Sequence, residues 1–169
     1  MPMQSQRTNR VARRGILALS LWLVVGATYA QAQTPFQGMA GQWTGSGTLE
    51  FSNGQREPVR CRAAYDVLGE RNQLQFDIRC ASESYHFDFR GSAISNGGNV
   101  SGNWSEVTRN ASGTISGKAQ RGRFQVLATG PAFTANLILA TRGKRQSVTI
   151  KSPDPESSLR GASISLQRR

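Results

Sequence analysis

The chain has 169 residues, of which 21 are Lys or Arg and 10 are Asp or Glu, so its formal net charge is +11. This length fits one domain, or a leader followed by one domain. The single histidine, His86, excludes any site that needs two histidines. The two cysteines exclude zinc and iron–sulfur sites built from four cysteines.

Residues 1–32 are typical of a signal peptide. Residues 1–14 contain four arginines and no acidic residue, residues 15–27 form an uncharged run rich in Leu, Val and Ala, and Ala30-Gln31-Ala32 has the A-x-A form of a cleavage site. The apolar run is shorter than the roughly 20 residues that a transmembrane helix needs. The sequence therefore predicts a cleavable leader of a bacterial protein, a periplasmic or secreted location, and one domain over residues 33–169 with no transmembrane anchor.

Beyond the leader, apolar and polar residues alternate with a period of two, and Gly, Asn, Asp and Ser interrupt the alternation. This pattern predicts an all-β antiparallel meander of about 8–10 strands with no substantial helix. The candidate strands are residues 41–51, 57–68, 73–81, 84–93, 99–107, 111–119, 122–129, 133–140, 145–151 and 159–168. We expect a closed or nearly closed barrel, because closure removes exposed strand edges.

The first two hairpins have predicted registers. A three-residue loop at residues 52–54, with Gly54 in the left-handed region, places Phe51 opposite Gln55 and aligns the apolar faces of both strands. In the second hairpin, one register aligns four pairs on the same face, and a slip of one residue would break all of them. These pairs are Val67 with Leu74, Tyr65 with Phe76, Ala63 with Ile78, and Cys61 with Cys80.

Because this register places Cys61 directly opposite Cys80, it predicts one disulfide in an oxidising compartment. The same reasoning predicts the register of the third hairpin across a four-residue turn. Its expected pairs are Cys80 with Tyr85, Ile78 with Phe87, and Phe76 with Phe89.

Gly41-Gln42-Trp43, on the first strand of the meander, resembles the G-x-W signature of lipocalin- and avidin-like (calycin) barrels. This resemblance implies that Trp43 closes one end of a barrel whose cavity binds a small, mostly apolar ligand. Lipocalins also place a helix late in the chain, and this sequence predicts none. The segment from Gly41 to Glu106 further resembles small exported bacterial proteins with the pattern G-x-W-x-G…R-C-x-A-x-Y…G-x-W-S-E, a resemblance that supports export and fold and implies no activity.

The chain contains no recognisable catalytic motif: no nucleophile elbow, zinc-protease helix or phosphate-binding loop. Its acidic residues could supply a carboxylate pair for glycoside hydrolysis, but the usual explanation for such residues is ordinary charge on the wet face of a sheet. Those residues are Asp77, Glu83, Asp88 and Glu106. We therefore predict a protein that is not an enzyme and needs no metal and no cofactor.

Two functional hypotheses remain. In the first, the barrel binds a small apolar or amphipathic ligand against inward aromatic residues. These cavity candidates are Trp43, Tyr65, Phe76, Phe87, Phe89 and Trp104. Small inward residues leave room for this ligand, or let Trp43 and Trp104 fill the barrel. In the alternative, a solid barrel uses its basic exterior to bind an anionic glycan, a lipid head group or a protein. Export argues against nucleic acid as a partner.

The outward face of the same strands carries four candidate anion-binding residues, Arg60, Arg62, Arg79 and His86. The predicted registers place Arg62 opposite Arg79, and Arg79 opposite His86. Directly opposed like charges destabilise a sheet. Either solvent screens them as ordinary surface charge, or a phosphate or carboxylate binds between the guanidinium groups.

Overall fold

The computed structural model describes residues 34–69, 72–131 and 133–169, which form a closed antiparallel β-barrel of ten strands. Each strand pairs with its neighbours in sequence, and the last strand pairs with the first. In chain order the strands are β1 (Gly41–Phe51), β2 (Arg56–Leu68), β3 (Gln73–Ala81), β4 (His86–Asn96), β5 (Asn99–Glu106), β6 (Ala111–Gln120), β7 (Arg123–Thr129), β8 (Thr134–Arg142), β9 (Arg145–Lys151) and β10 (Leu159–Arg168). The predicted all-β barrel is confirmed.

The predicted leader lies outside the described residues. Within the described ranges, no helix has the length and apolar character that crossing a bilayer requires. The predicted strand boundaries agree with the observed ones to within two residues, except at the end of β4, which continues to Asn96. The alternation of apolar and polar residues therefore carried enough information to place every strand.

The first two hairpins have the predicted registers. The backbone N–H of Phe51 donates to the Gln55 carbonyl at 3.0 Å, and Gly54 adopts a φ of 82° in the turn. In the second hairpin, the four predicted pairs of β2 and β3 are all present. Cys61 and Cys80 form the predicted disulfide, with their Cα atoms 4.1 Å apart.

The predicted register of the third hairpin is wrong by two residues. Cys80 pairs with Phe87, Ile78 with Phe89, and Phe76 with Gly91. The turn occupies residues 82–85, where the N–H of Ser82 donates to the Tyr85 carbonyl at 2.8 Å and the N–H of Tyr85 donates to Ser82 Oγ at 3.1 Å. This register also places Arg79 opposite Asp88 rather than His86, so opposite charges meet where the sequence predicted like charges.

The small inward residues allow neighbouring strands to approach closely, rather than simply leaving empty space inside the barrel. A Cβ added to Gly117 would lie 2.7 Å from the Cα of Val126 in the neighbouring strand. Gly113 and Gly130 also make room for an aromatic ring, because Cβ atoms there would lie 2.8 Å and 2.7 Å from atoms of the Trp104 indole. Glycine is therefore required at these positions by backbone and indole packing.

Candidate ligand-binding site

One end of the barrel is closed by the short segment that precedes β1. Phe36 and Met39 in this segment are 1% and 2% exposed. Phe36 stacks on Phe124 with ring centroids 5.4 Å apart, and the indole N–H of Trp43 donates to the Met39 carbonyl at 2.7 Å. The guanidinium of Arg168 lies 4.7 Å from the centroid of the Trp43 ring. This end is therefore packed around Trp43.

A polar bridge crosses the barrel at the same end. The Tyr65 hydroxyl donates to Gln146 Oε1 at 2.9 Å, and Gln146 Nε2 donates to Thr141 Oγ1 at 3.0 Å. Both Tyr65 and Gln146 are buried, and burial raises the pKa of Tyr65, so its hydroxyl keeps its proton as a donor. The bridge ties β2 to β9 across β1 and β10.

Between the closed end and the opposite rim of the barrel, many inward apolar side chains are only half-buried. These residues are Phe76, Ile78, Cys80, Phe87, Ile115, Val126, Leu139, Val148 and Ile150. Inward residues that are fully packed have almost no accessible surface, since Trp43 is 0% exposed and Ala63 is 1% exposed. An inward side chain therefore gains almost no exposure to solvent through the outer side of the barrel wall. The accessible surface of the half-buried residues therefore faces the interior. Ten strands make a barrel wide enough to retain such a lumen.

An aromatic wall runs along the inside of β4 and the end of the turn that precedes it. The rings of Tyr85, Phe87 and Phe89 follow one another with centroids 5.8 Å and 6.0 Å apart. Phe51 continues the wall at one side, 5.2 Å from Tyr85, and Phe133 continues it at the other, 6.2 Å from Phe89. All five rings are half-buried, so the wall presents apolar surface to the lumen.

The six predicted cavity residues occupy three different environments. Trp43 and Tyr65 belong to the closed end, while Phe76, Phe87 and Phe89 retain surface toward the lumen. Trp104 is only 4% exposed and contacts Phe89 edge-on at 5.9 Å. Its indole N–H is buried and has no hydrogen-bond acceptor among the described residues.

The loop between β5 and β6 places a cation over the aromatic wall. The Arg109 guanidinium lies 5.1 Å from the Phe87 centroid and 5.9 Å from that of Tyr85, within reach of a cation–π interaction. It also donates to the His86 carbonyl at 3.0 Å. Sequence reasoning did not single out Arg109, although pairing of β4 with β5 carries this loop alongside the start of β4.

Glu106 holds this loop in place. It is 3% exposed, and its carboxylate accepts hydrogen bonds from Asp88 N at 2.9 Å, Thr108 Oγ1 at 2.5 Å and Arg109 N at 2.7 Å. Burial acts to raise the pKa of Glu106, but these hydrogen bonds outweigh burial and hold the pKa below its ordinary value. Glu106 is one of the acidic residues that the sequence offers for a catalytic carboxylate pair. In the structure, its carboxylate accepts hydrogen bonds from Asp88, Thr108 and Arg109 and holds the loop between β5 and β6.

The predicted anion-binding residues line one groove on the outer face of β1–β4, with a volume of about 710 Å³. Arg62 does lie opposite Arg79, as the register predicted. His86 pairs with Ala81 instead of Arg79, so the predicted lateral row of three cations is incorrect, yet His86 still lines the groove. Arg169 lines it too, with its Nε 3.4 Å from Thr44 Oγ1.

The carboxylates near this groove are engaged in ion pairs. Arg79 contacts Asp77 at 3.3 Å and Asp88 at 3.4 Å, and Arg90 contacts the same two carboxylates at 3.2 Å and 3.5 Å. Arg60 and Arg62 have no carboxylate within 4.0 Å in the part of the chain that the structure describes.

Within the described ranges, no three His, Cys, Asp or Glu side chains converge as a metal site. Five further basic residues lie exposed near two hairpins at the closed end. They are Arg121, Arg123, Arg142, Lys144 and Arg145.

The described residues thus form a closed ten-stranded antiparallel barrel. No protein-family model matches the chain, and neither does any curated protein. Among solved structures, it is similar to Rv2717c from M. tuberculosis, with a TM-score of 0.63 and 10% identity over 79% of this chain and 94% of that chain. It is also similar to the S-type phycobiliprotein lyase CPES from Guillardia theta, with a TM-score of 0.56 and 11% identity over 79% of this chain and 90% of that chain.

Proposed function

We propose that the protein is a non-enzymatic binding protein that holds a small apolar or amphipathic ligand in the lumen of its barrel. The observation that carries this proposal is the wall of half-buried rings formed by Tyr85, Phe87 and Phe89. Covering apolar surface gains roughly 25 cal/mol for each Å² removed from water, so a ligand that displaces water from this wall is stabilised there. The likeness to a phycobiliprotein lyase is consistent with a barrel that binds a small molecule.

The wall also supports an amphipathic ligand. The apolar part of such a ligand would lie against Phe87 and Phe89, while the polar part of the ligand would meet the loop that carries Thr108 and Arg109. The Arg109 side chain is 45% exposed and therefore accessible to such a group. Apolar lining with a few polar groups at one side is the usual composition of small-molecule sites.

Export is the second part of the proposal. Cleavage after Ala32 would release the barrel domain to the periplasm or the medium, where the disulfide between Cys61 and Cys80 is stable. N-terminal sequencing of the protein recovered from those fractions should find Gln31 or Gln33 as its first residue. An exported protein that still begins at Met1 would contradict this part.

The test of the lumen begins with native mass spectrometry of the protein purified from its own compartment, which should show a retained small molecule. Binding of the fluorescent probe 1-anilinonaphthalene-8-sulfonate is then compared between two variants. Val126→Trp adds an indole to the half-buried inner face of β7, and we expect it to weaken probe binding about tenfold or more. Leu127→Trp makes the same kind of change on the outer face, where Leu127 is 37% exposed, and should bind as wild type.

Thermal melting of both variants establishes that they fold. Equal probe affinity for Val126→Trp and wild type would overturn the proposal, since the probe would then bind outside the lumen. Absence of both a retained molecule and saturable probe binding would overturn it as well, in favour of a barrel whose interior takes no ligand.

A further inference from the structure

We propose that the groove on the outer face of β1–β4 is an anion-binding site, centred on Arg60 and Arg62, for a small molecule that carries a phosphate monoester. Its arginines point away from the inward faces of their strands, although Phe87 and Thr108 line both the groove and the proposed lumen site. Arg60 and Arg62 take no part in the proposed contacts with an apolar ligand.

The first argument is the placement of the guanidinium groups. Arg60 and Arg62 lie two residues apart on one face of β2, which separates their Cα atoms by about 7 Å. Arg62 has Thr44 of β1 on one side and Arg79 of β3 on the other. Arg169 lies against Thr44 and lines the same groove. Donors from several strands therefore surround one concave volume.

The second argument is charge. Four arginines line the groove, whereas Asp88 is its only acidic residue among those described, and Asp88 is already paired with Arg79 and Arg90. Neighbouring like charges destabilise a sheet unless something compensates them. Arg60 and Arg62 have no carboxylate partner in the described ranges. A bound dianion supplies that compensation.

The third argument is rigidity. Cys61 stands between the two arginines, and its disulfide with Cys80 joins β2 to β3 directly beneath the groove. A platform fixed in this way loses little conformational entropy when a ligand binds. Residue 61 faces inward while its neighbours face outward, so the disulfide stiffens the site without occupying it.

Size and chemistry select the ligand class. Guanidinium groups bind phosphate oxygens in a bidentate manner, and a dianionic phosphate monoester satisfies two of them at once. A groove of about 710 Å³ is larger than a phosphate ion and falls within the range of small-molecule sites. The phosphate therefore belongs to a larger molecule, either a free phosphorylated metabolite or the head group of a lipid.

The test is a titration of the folded protein with glycerol 3-phosphate at low ionic strength, followed through the side-chain NMR signals of its arginines. We expect saturable shifts at Arg60 and Arg62. Arg62→Gln should weaken binding about tenfold or more, and Arg62→Lys should weaken it less, because lysine keeps the charge and loses the bidentate geometry. Arg123→Gln is the control, because it removes the same charge from an exposed arginine of β7 outside the groove.

A second arm measures sedimentation with phosphatidylcholine vesicles that contain phosphatidic acid. If the protein binds the vesicles but not glycerol 3-phosphate, and Arg62→Gln abolishes that binding, the result supports the site and assigns the phosphate to a lipid. Binding to glycerol 3-phosphate assigns the phosphate to a soluble ligand. The proposal is overturned if neither binds, or if Arg62→Gln and Arg123→Gln weaken binding equally. Arg62→Gln should keep its affinity for the lumen probe, so failure of this site and failure of the lumen are distinguishable.

Discussion

The closed end and the lumen are lined by the same ten strands with the same alternation of residues, yet their packing differs: Trp43 and Tyr65 at the closed end are buried, whereas the rings of Phe87 and Phe89 on the lumen wall are only half-buried. At the closed end, Phe36 and Met39 enter from a segment outside the strands, and Tyr65 reaches Gln146 across the barrel. Among the residues that the structure describes, no such insertion enters the lumen, and the rings of its wall stay half-buried. A ten-stranded wall is thus too wide for its own side chains to fill, and what decides between core and cavity is the material added to it.

This difference predicts that stability is concentrated at one end. Trp43→Ala should lower the free energy of unfolding by about 3–5 kcal/mol, because it leaves a large cavity in a packed region. Phe87→Ala removes a ring that is only half-buried at the lumen, and should cost about 1–2 kcal/mol. Urea unfolding of both variants measures the two values. Similar losses would mean that the lumen is as tightly packed as the closed end.

The disulfide lies at the boundary between the two regions, because Cys61 is buried while Cys80 is half-buried. The bridge spans a sequence separation of 19 residues, a loop for which chain entropy predicts a stabilisation of about 3 kcal/mol. Cys61→Ser and Cys80→Ser should each lose that amount in urea unfolding, and the double variant should lose little more. Free thiols detected in the folded, unreduced protein would refute the bridge itself.

The smallest expected effect concerns the loop over the aromatic wall, and it depends on pH. The pKa of Glu106 is lowered in the folded protein, so its contribution to stability is full above its ordinary pKa of 4.5 and is lost as the pH falls through the lowered value. Glu106→Gln should therefore lower stability by about 1 kcal/mol at neutral pH and flatten the decline of stability at acidic pH. Unfolding curves measured from pH 7 down to pH 3 provide the comparison, and parallel curves for both proteins would contradict the assignment.

Particular residues show which features the sequence could predict. The β2–β3 register followed from four apolar pairs, because a slip of one residue would turn every one of them outward. The β3–β4 register was missed because a shift of two residues keeps inward residues inward, so alternation cannot detect it. Only the Ser82 turn and the opposite charges of Arg79 and Asp88 distinguish the two registers.

The site was less predictable than the fold. Phe36 and Met39 lie in a segment with no periodic pattern, so their insertion into the barrel left no signal in the sequence. Tyr65 and Gln146 are 81 residues apart, and their hydrogen bond depends on a diameter that only the closed sheet defines. The groove residues were found from their shared outward face, whereas the ion pair between Arg79 and Asp88 required the observed register.

The pairing of β1 with β10 has a consequence for how the chain reaches its folded state. Leu49 pairs with Ala162, so the first strand to be synthesised waits for the last one before the ring of hydrogen bonds is complete. Contacts this distant in sequence slow folding. Until β10 arrives, β1 and β9 both present unpaired edges that can capture strands of other molecules. The last ten or so residues thus decide whether this sheet ends as a closed ring or as a template for aggregation.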